Sequence, residues 1–219
     1  MITQIKNRYT KSVIFECDVP DTVESGMALR HALEKAVAVK QDLRGAYLRG
    51  ACLRGACLHG ADLRGADLRG ADLGGADLRD ADLRDTDLRD TDLRDAYLRG
   101  ADLGGADLRD AYLVGSDLRD AYLRDTDLGG ADLGGKKLVG DRPFIEVGPI
   151  GSRNDFLQAW ITDTGPMICA GCFFDTRSQF ELQLAENHGN NEHGQEYTAA
   201  LVLIDKHIEL WTPKVEVAA

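Results

Sequence analysis

The hydrophobic pattern between residues 41 and 140 repeats every five positions. Leucine occurs at every fifth residue from Leu43 to Leu138, twenty times without interruption, and a small residue, most often alanine, lies two positions before eighteen of these leucines; Gln41 and Lys136 take this position in the first and last repeats. On an α-helix five residues turn the chain by about 500°, so these leucines would not share a face. On a straight strand, neighbouring leucines would point to opposite faces. The period therefore predicts neither a helix nor a straight strand.

Each repeat ends in glycine or aspartate, the residue types that tolerate the backbone dihedral angles of a tight corner. A chain that bends at each of these positions can direct every leucine and every small residue inward. The residues on either side of each leucine, mostly Asp before it and Arg after it, then point outward. The pattern predicts a coiled chain with a leucine-filled interior and a charged outer surface.

The repeats Ala61–Gly65 and Ala66–Gly70 are both Ala-Asp-Leu-Arg-Gly. They resemble the pentapeptide-repeat family, whose pattern is A-(D/N)-L-x-x, and the resemblance covers residues 41–140. It implies a mainly β fold, the right-handed quadrilateral β-helix, with four repeats in each coil and about five coils in all. Backbone hydrogen bonds between successive coils would then supply much of the stability.

A β-helix exposes unpaired strand edges at its ends, and these need a cap. Residues 1–40 are predicted to form an N-terminal strand-helix cap. Its strand spans residues 12–19, and its helix starts at Asp21 or Thr22 and runs through Lys40.

Residues 141–219 differ in composition, since they hold both tryptophans and five of the six phenylalanines. They are predicted to form a small C-terminal α+β domain, a β-hairpin (156–162 and 167–174) followed by two helices. The first helix opens with a capping-box pattern at Thr176, and the second ends before Pro213. The arrangement resembles C-terminal extensions of pentapeptide-repeat proteins from phages and prophages, a resemblance that implies no activity.

The charge is acidic, with 26 Lys and Arg against 37 Asp and Glu, a net charge of −11. This balance counts against direct binding of DNA or of an anionic membrane, because both need a basic face. No apolar run approaches the length of a membrane span, and the N-terminus has no signal-peptide pattern. Five scattered cysteines do not make a disulfide framework. A cytoplasmic protein is expected.

Four outward positions depart from the charged pattern in the later repeats. Tyr97, Tyr112 and Tyr122 replace aspartate, and Val114 replaces arginine. Exposed aromatic residues favour protein interfaces, so these four are candidate partner-binding residues. Neutral variation, or contact with the C-terminal domain, remains open as the alternative.

With four repeats in each coil, Asp67, Asp87, Asp107 and Asp127 fall on one face as a candidate acidic ladder. The resemblance implies a role for it, because some family members, the quinolone-resistance proteins among them, are acidic rods that occupy the DNA site of gyrase and topoisomerase IV. Duplex DNA carries about one negative charge per 1.7 Å. Here the repeats carry 20 Asp against 13 Arg and two Lys. Mutually neutralising columns of Asp and Arg are the competing interpretation.

The spacing of Cys169, Cys172, His188 and His193 fits a C-x2-C…H-x4-H zinc site. In a regular strand, however, the two cysteines would point to opposite faces. A buried Cys172 and a helix-terminal His188 are the alternative, and no other cofactor is expected. The sequence lacks G-x-S-x-G, P-loop and H-E-x-x-H motifs, so it predicts no enzyme.

These observations predict a non-catalytic interaction protein that binds a protein partner through the outer faces of the β-helix, the C-terminal domain, or both. A phage or mobile-element factor acting on a host protein fits this description. The alternative is a DNA-mimicking modulator of a type II topoisomerase such as gyrase. The expected state is a monomer, or a dimer formed through the C-terminal domain.

Overall fold

The computed structural model describes residues 1–24, 26–152, 155–170 and 173–213. The chain divides into two compact units, Met1–Gly135 and Lys136–Ala219. The described residues form six named strands and three helices, and the repeats between them add a ladder of short β-bridges.

The repeats stack with a spacing of twenty residues. Asp67 forms a parallel bridge with Asp87, which bridges Asp107 in turn, and the same offset holds from Tyr47 to Asp132. Two backbone hydrogen bonds accompany each bridge between successive coils. For example, the amide of Asp87 donates to the Ala66 carbonyl at 3.0 Å, and the amide of Leu68 donates to the Asp87 carbonyl at 2.9 Å. A spacing of twenty residues means that each coil holds four five-residue repeats.

The leucines point inward, as their period predicts. Each leucine from Leu43 to Leu118 is at most 5 % exposed, whereas Leu123 is only partly buried. Where threonine takes the small inward position, its hydroxyl finds a partner. Thr86 donates to the Leu63 carbonyl at 3.3 Å and Thr91 to the Leu68 carbonyl at 3.1 Å. The interior is thus apolar, and these buried hydroxyls are satisfied.

The last residue of each repeat is a corner with a positive φ angle. Asp85 has φ +56° and Gly105, directly above it in the next coil, has φ +70°. A Cβ atom at Gly105 would lie 2.7 Å from Oδ1 of Asp85. Glycine at this corner therefore leaves room for the carboxylate of the coil below, which explains why Asp and Gly follow each other there.

The N-terminal segment consists of β1 (Ile2–Lys6), β2 (Val13–Asp18) and α1 (Ala28–Ala38), with β1 and β2 antiparallel. It contacts the first coil through the backbone, since the amide of Tyr47 donates to the Lys6 carbonyl at 2.8 Å. Arg30 of α1 donates to the carbonyls of Arg54 and Gly55. These bonds use polar groups of the first coil that no preceding coil can pair.

The predicted start of the helix at Asp21 or Thr22 is wrong. Both residues lie in a turn after Pro20, and α1 begins only at Ala28. Gly26 has φ +99°, a conformation that no helix contains, so the helix can form only after it.

The second unit contains β3 (Phe144–Ile150), β4 (Asp155–Thr162), β5 (Gly165–Ala170) and β6 (Phe173–Thr176) in one antiparallel sheet of that order. Helices α2 (Arg177–Asn187) and α3 (Glu192–Trp211) follow. Leu157 and Ile168 of the sheet join Phe180, Leu201 and Ile204 of the helices in one buried cluster. Both helices therefore pack on one face of the sheet.

The two predicted helices and the Thr176 cap, which accepts from the Gln179 amide, are present. The first predicted hairpin strand, 156–162, corresponds to β4, but the prediction of 167–174 as one strand is wrong, because β5 ends at Ala170 and β6 pairs antiparallel with it. The sequence missed β3 as a strand, because Gly148 and Pro149 interrupt its pattern. Proline is tolerated there because β3 lies at an edge of the sheet.

The last predicted repeat, 136–140, lies in the second unit. Its leucine, Leu138, forms an antiparallel bridge with Thr162, in place of a parallel bridge to another coil. The ladder of parallel bridges thus ends at Asp132. In the described ranges no helix combines the length and apolar character that a membrane span requires.

Candidate functional site

The outer wall of nine of the twenty repeats carries one ion pair between the residues before and after the leucine. In residues 86–90, Nε of Arg89 donates to Oδ1 of Asp87 at 2.9 Å and Nη2 donates to Oδ2 at 2.7 Å. Side chains two positions apart lie on the same side of an extended segment, so each repeat can close this bidentate pair by itself. The same pairing occurs in Asp42–Arg44, Asp62–Arg64, Asp67–Arg69, Asp77–Arg79, Asp82–Arg84, Asp92–Arg94, Asp107–Arg109 and Asp117–Arg119.

The structure brings the predicted acidic ladder together as one column, but it pairs the ladder with arginine. Nε of Arg69, Arg89 and Arg109 lies 3.1–3.4 Å from the aspartate of the next coil, Asp87, Asp107 and Asp127 respectively. Asp67 is 2 % exposed and Asp87 9 % exposed. The Arg69 side chain lowers the pKa of Asp67, and Arg109 lowers that of Asp107. This column is an ion-paired ladder along the axis.

The charge that the wall pairs leave over is concentrated at the corners. Asp80, Asp85, Asp90 and Asp95 occupy four successive corners. Within the described ranges, Asp85, Asp90 and Asp95 have no ion pair, and Asp80 lies 3.8 Å from Nδ1 of His59. The sequence pattern predicts these aspartates only as corner residues. The signal for them was the change from Gly to Asp at the fifth position.

A distinct surface results where the wall pair is replaced. Tyr97, Tyr112 and Tyr122 are 53 %, 46 % and 67 % exposed, and Val114 is 39 % exposed. Each tyrosine occupies an aspartate position in its column, as the bridges Asp77↔Tyr97, Asp92↔Tyr112 and Asp102↔Tyr122 show. We call these four residues the tyrosine surface.

The tyrosine surface spans three of the four columns around the coil, with Tyr97 in the middle column and Tyr112 and Tyr122 in the columns on either side of it. Tyr112 and Val114 together replace both members of one ion pair, which leaves an apolar wall in that repeat. In the other two repeats the arginine turns to a corner residue, Arg99 to Asp120 at 2.9 Å and Arg124 to Asp125 at 3.3 Å.

The four residues of the predicted zinc site are only partly described. Cys172 lies outside the described residues, and Cys169 lies in β5 opposite Phe174. His188 follows α2 and His193 lies in the first turn of α3, with their ring centroids 5.9 Å apart. Among the described residues, no group of three or more His, Cys, Asp or Glu side chains could hold a metal ion. The zinc site stays a prediction of the sequence.

These features define a β-helical repeat protein whose outer walls, built from one recurring ion pair, carry its variable side chains. The family model for pentapeptide repeats matches this chain in eight copies, over residues 33–65, 61–100 and 101–135. The chain belongs to the pentapeptide-repeat family, whose fold is the right-handed β-helix.

Solved structures of other pentapeptide-repeat proteins are similar to this chain. One from the thylakoid lumen of Arabidopsis thaliana is 33 % identical over 43 % of this chain and 68 % of its own, with a TM-score of 0.42. One from Nostoc PCC 7120 is 46 % identical over 37 % of this chain and 67 % of its own, with a TM-score of 0.37.

QnrB1, a plasmid-mediated fluoroquinolone resistance protein, is 23 % identical over 42 % of this chain and 55 % of its own, with a TM-score of 0.29. A search of curated proteins found no match to this chain.

Proposed function

We propose that this protein is a non-catalytic interaction protein that binds a protein partner on the outer wall of its β-helix, at the tyrosine surface. The exposure of Tyr97, Tyr112 and Tyr122 at positions where the same columns carry aspartate in other coils supports the proposal most directly. The twenty-residue spacing favours a coil with four sides, and residues 41–140 suffice for about five such coils.

The energetics of desolvation favour this part of the wall as the contact. Covering an Asp–Arg pair removes two charges from water, and their mutual attraction rarely returns more than that cost. Covering tyrosine and valine removes apolar area from water, which is favourable by about 25 cal/mol per Å². Tyrosine is also enriched among the residues that dominate binding energy at interfaces.

The proposal can be tested by replacing the three tyrosines with aspartate, the residue that most repeats carry directly before the leucine. Tyr97→Asp, Tyr112→Asp and Tyr122→Asp together place an aspartate where the same columns carry it in other coils, so the fold should be retained. We expect the triple variant to capture at least tenfold less of the specific partner from an extract of the native host. Quantitative mass spectrometry of the captured proteins measures the loss and shows whether the partner is a host protein, as a phage or mobile-element factor requires.

A matched control changes exposed apolar residues in the other unit. Leu203→Asp and Leu210→Asp alter two side chains of α3 that are 54 % and 62 % exposed. This control should capture the partner as wild type does. Full capture by the triple tyrosine variant together with loss in the α3 variant would contradict the proposal and assign the contact to the C-terminal domain.

DNA mimicry of the kind that modulates gyrase is a second candidate, and the corner aspartates favour it. Asp85, Asp90 and Asp95 carry carboxylates without an ion pair within the described ranges, unlike the wall ladder around Asp87. A mimic of this type would act through them. These aspartates follow one another around the coil, whereas the phosphates of DNA are spaced along the axis of the double helix. The corner aspartates therefore match DNA in the sign of their charge and differ from it in arrangement.

The corner aspartates can be replaced by glycine, the residue of other corners, without disturbing the wall pairs. If the protein is a mimic, wild type should inhibit DNA supercoiling by gyrase in a salt-dependent way. Asp80→Gly, Asp85→Gly, Asp90→Gly and Asp95→Gly together should then raise the half-inhibitory concentration at least tenfold. Wild-type protein without effect on supercoiling would remove this candidate and leave the first proposal untouched.

A further inference from the structure

Two wall arginines of the first coil differ from all the others. Of the thirteen arginines in the repeats, eleven lie within ion-pair distance of an aspartate. For Arg49 and Arg54 the described residues include no such partner. Tyr47 and Cys52 occupy the positions from which an aspartate pairs with the arginine two residues later, and the corners that follow are Gly50 and Gly55, so no corner aspartate takes that place as it does for Arg99 and Arg124.

The next coil does not supply the missing carboxylates. By the offset seen for Arg69 and Asp87, Arg49 would pair with Asp67, but among the described residues no ion pair joins them, and Asp67 accepts from Arg69 at 3.0 and 2.8 Å. Arg54 would pair with Asp72, whose Oδ1 accepts from the Gly74 amide at 3.0 Å. The Arg54 guanidinium extends over Gly74 without reaching ion-pair distance from Asp72.

The surroundings of these arginines add a third cation and an aromatic ring. Nζ of Lys11 lies 5.5 Å from the centroid of the Tyr47 ring, and within the described ranges Lys11 forms no ion pair. Tyr47 is 46 % exposed, and Arg49 and Arg54 are exposed as well. We call Lys11, Tyr47, Arg49 and Arg54 the basic surface.

The basic surface is confined to one end of an acidic repeat array. Residues 41–60 contain three arginines and one aspartate, whereas residues 61–135 contain ten arginines and nineteen aspartates. An anion that contacts only the first coil is attracted, while one long enough to extend along the array meets excess negative charge.

We propose that the basic surface binds a short acidic segment of a protein. Guanidinium groups without a carboxylate of their own offer the planar donor pairs that bind carboxylates in a bidentate manner. Tyr47 provides an apolar contact between Lys11 and Arg49, which lies two positions later in the same repeat. A nucleic acid fits less well, because its evenly spaced phosphates would continue onto the acidic coils. This site lies in a different coil from the tyrosine surface, so this proposal is independent of the proposed function.

The experiment titrates the full-length protein into a fluorescently labelled hexaglutamate peptide and follows anisotropy. We expect binding that weakens as salt rises, and at least fivefold weaker binding by the variant Arg49→Gln/Arg54→Gln. Arg79→Gln/Arg84→Gln is the matched control, since it removes the same charge from two arginines that have aspartate partners, and it should bind within twofold of wild type. An equal loss in both variants would show a general charge effect and overturn the proposal.

A second variant tests the same site without touching the arginines. Tyr47→Asp/Cys52→Asp restores the repeat's own aspartates, which should pair with Arg49 and Arg54 and abolish peptide binding. Its melting temperature should equal or exceed that of wild type, which separates lost binding from lost folding. Unchanged peptide binding by this variant would overturn the proposal, as would tighter binding of a six-nucleotide oligothymidylate than of hexaglutamate.

Discussion

Replacing Leu88 with alanine is expected to lower the free energy of unfolding by about 3 kcal/mol. Leu88 is fully buried and occupies the same position in its coil as Leu68 and Leu108 in the coils on either side. The alanine would leave a cavity between two stacked layers, which the backbone ladder prevents from closing. In a repeat protein each coil is stabilised by its neighbours, so a cavity in a central coil weakens two interfaces. Urea unfolding followed by circular dichroism measures the loss.

An outward substitution in the same part of the β-helix is the control. Arg84→Gln removes an exposed ion pair with Asp82 and should cost about 1 kcal/mol or less. If Leu88→Ala and Arg84→Gln lowered the unfolding free energy equally, the tightly packed leucine interior would be contradicted.

Acid should destabilise the β-helix more than it would a protein of similar size without the wall pairs. A hydrogen bond from the arginine two residues later lowers the pKa of each of six wall aspartates, Asp67, Asp77, Asp82, Asp92, Asp107 and Asp117. A lowered pKa means that the folded state binds the proton less readily than the unfolded chain. The stabilisation is therefore present above the unfolded value of about 3.9, and it is lost as the pH falls through the folded values.

Exposed pairs contribute about 0.2–1 kcal/mol each, so the wall network as a whole should lose a few kcal/mol. We expect a nearly constant melting temperature from pH 7 to about pH 5 and a steep fall below about pH 4. The variant Arg69→Gln leaves the buried carboxylate of Asp67 without its main partner and should lose about 2 kcal/mol at pH 7. It should lose less at pH 3, where that carboxylate is increasingly protonated. Equal melting temperatures of the wild type at pH 7 and pH 3 would exclude this role of the wall pairs.

The repeat architecture could be predicted because the inward residues and the corner of each repeat lie within five consecutive positions. A leucine every fifth residue, with Gly or Asp at the last position, leaves one arrangement in which the leucines point inward. The positive φ angles at Asp85 and Gly105 confirm the predicted corners. The Thr176 cap could be predicted for the same reason, since its partner is the Gln179 amide three residues away.

Features that depend on a neighbouring element were harder to predict. The helix expected from Asp21 begins seven residues later at Ala28, because the turn at Gly26 intervenes. Strand β3 has a pattern broken by Gly148 and Pro149 and exists because it pairs with β4. The tyrosine positions were evident from sequence alone, whereas the missing partners of Arg49 and Arg54 became evident only from distances across coils.

By itself the sequence determined which side chains lie inside and which lie outside, because a five-residue period with bendable corners has one solution that buries the leucines. Only the tertiary structure decided how the outer charges are distributed. Stacking the coils joined Asp87 to arginines of two coils and left Asp90 and Arg49 without an ion-pair partner among the residues that the structure describes, although all three belong to similar repeats. The physical reason is that attraction between charges depends on distance in space, and residues twenty positions apart become neighbours only when the chain coils.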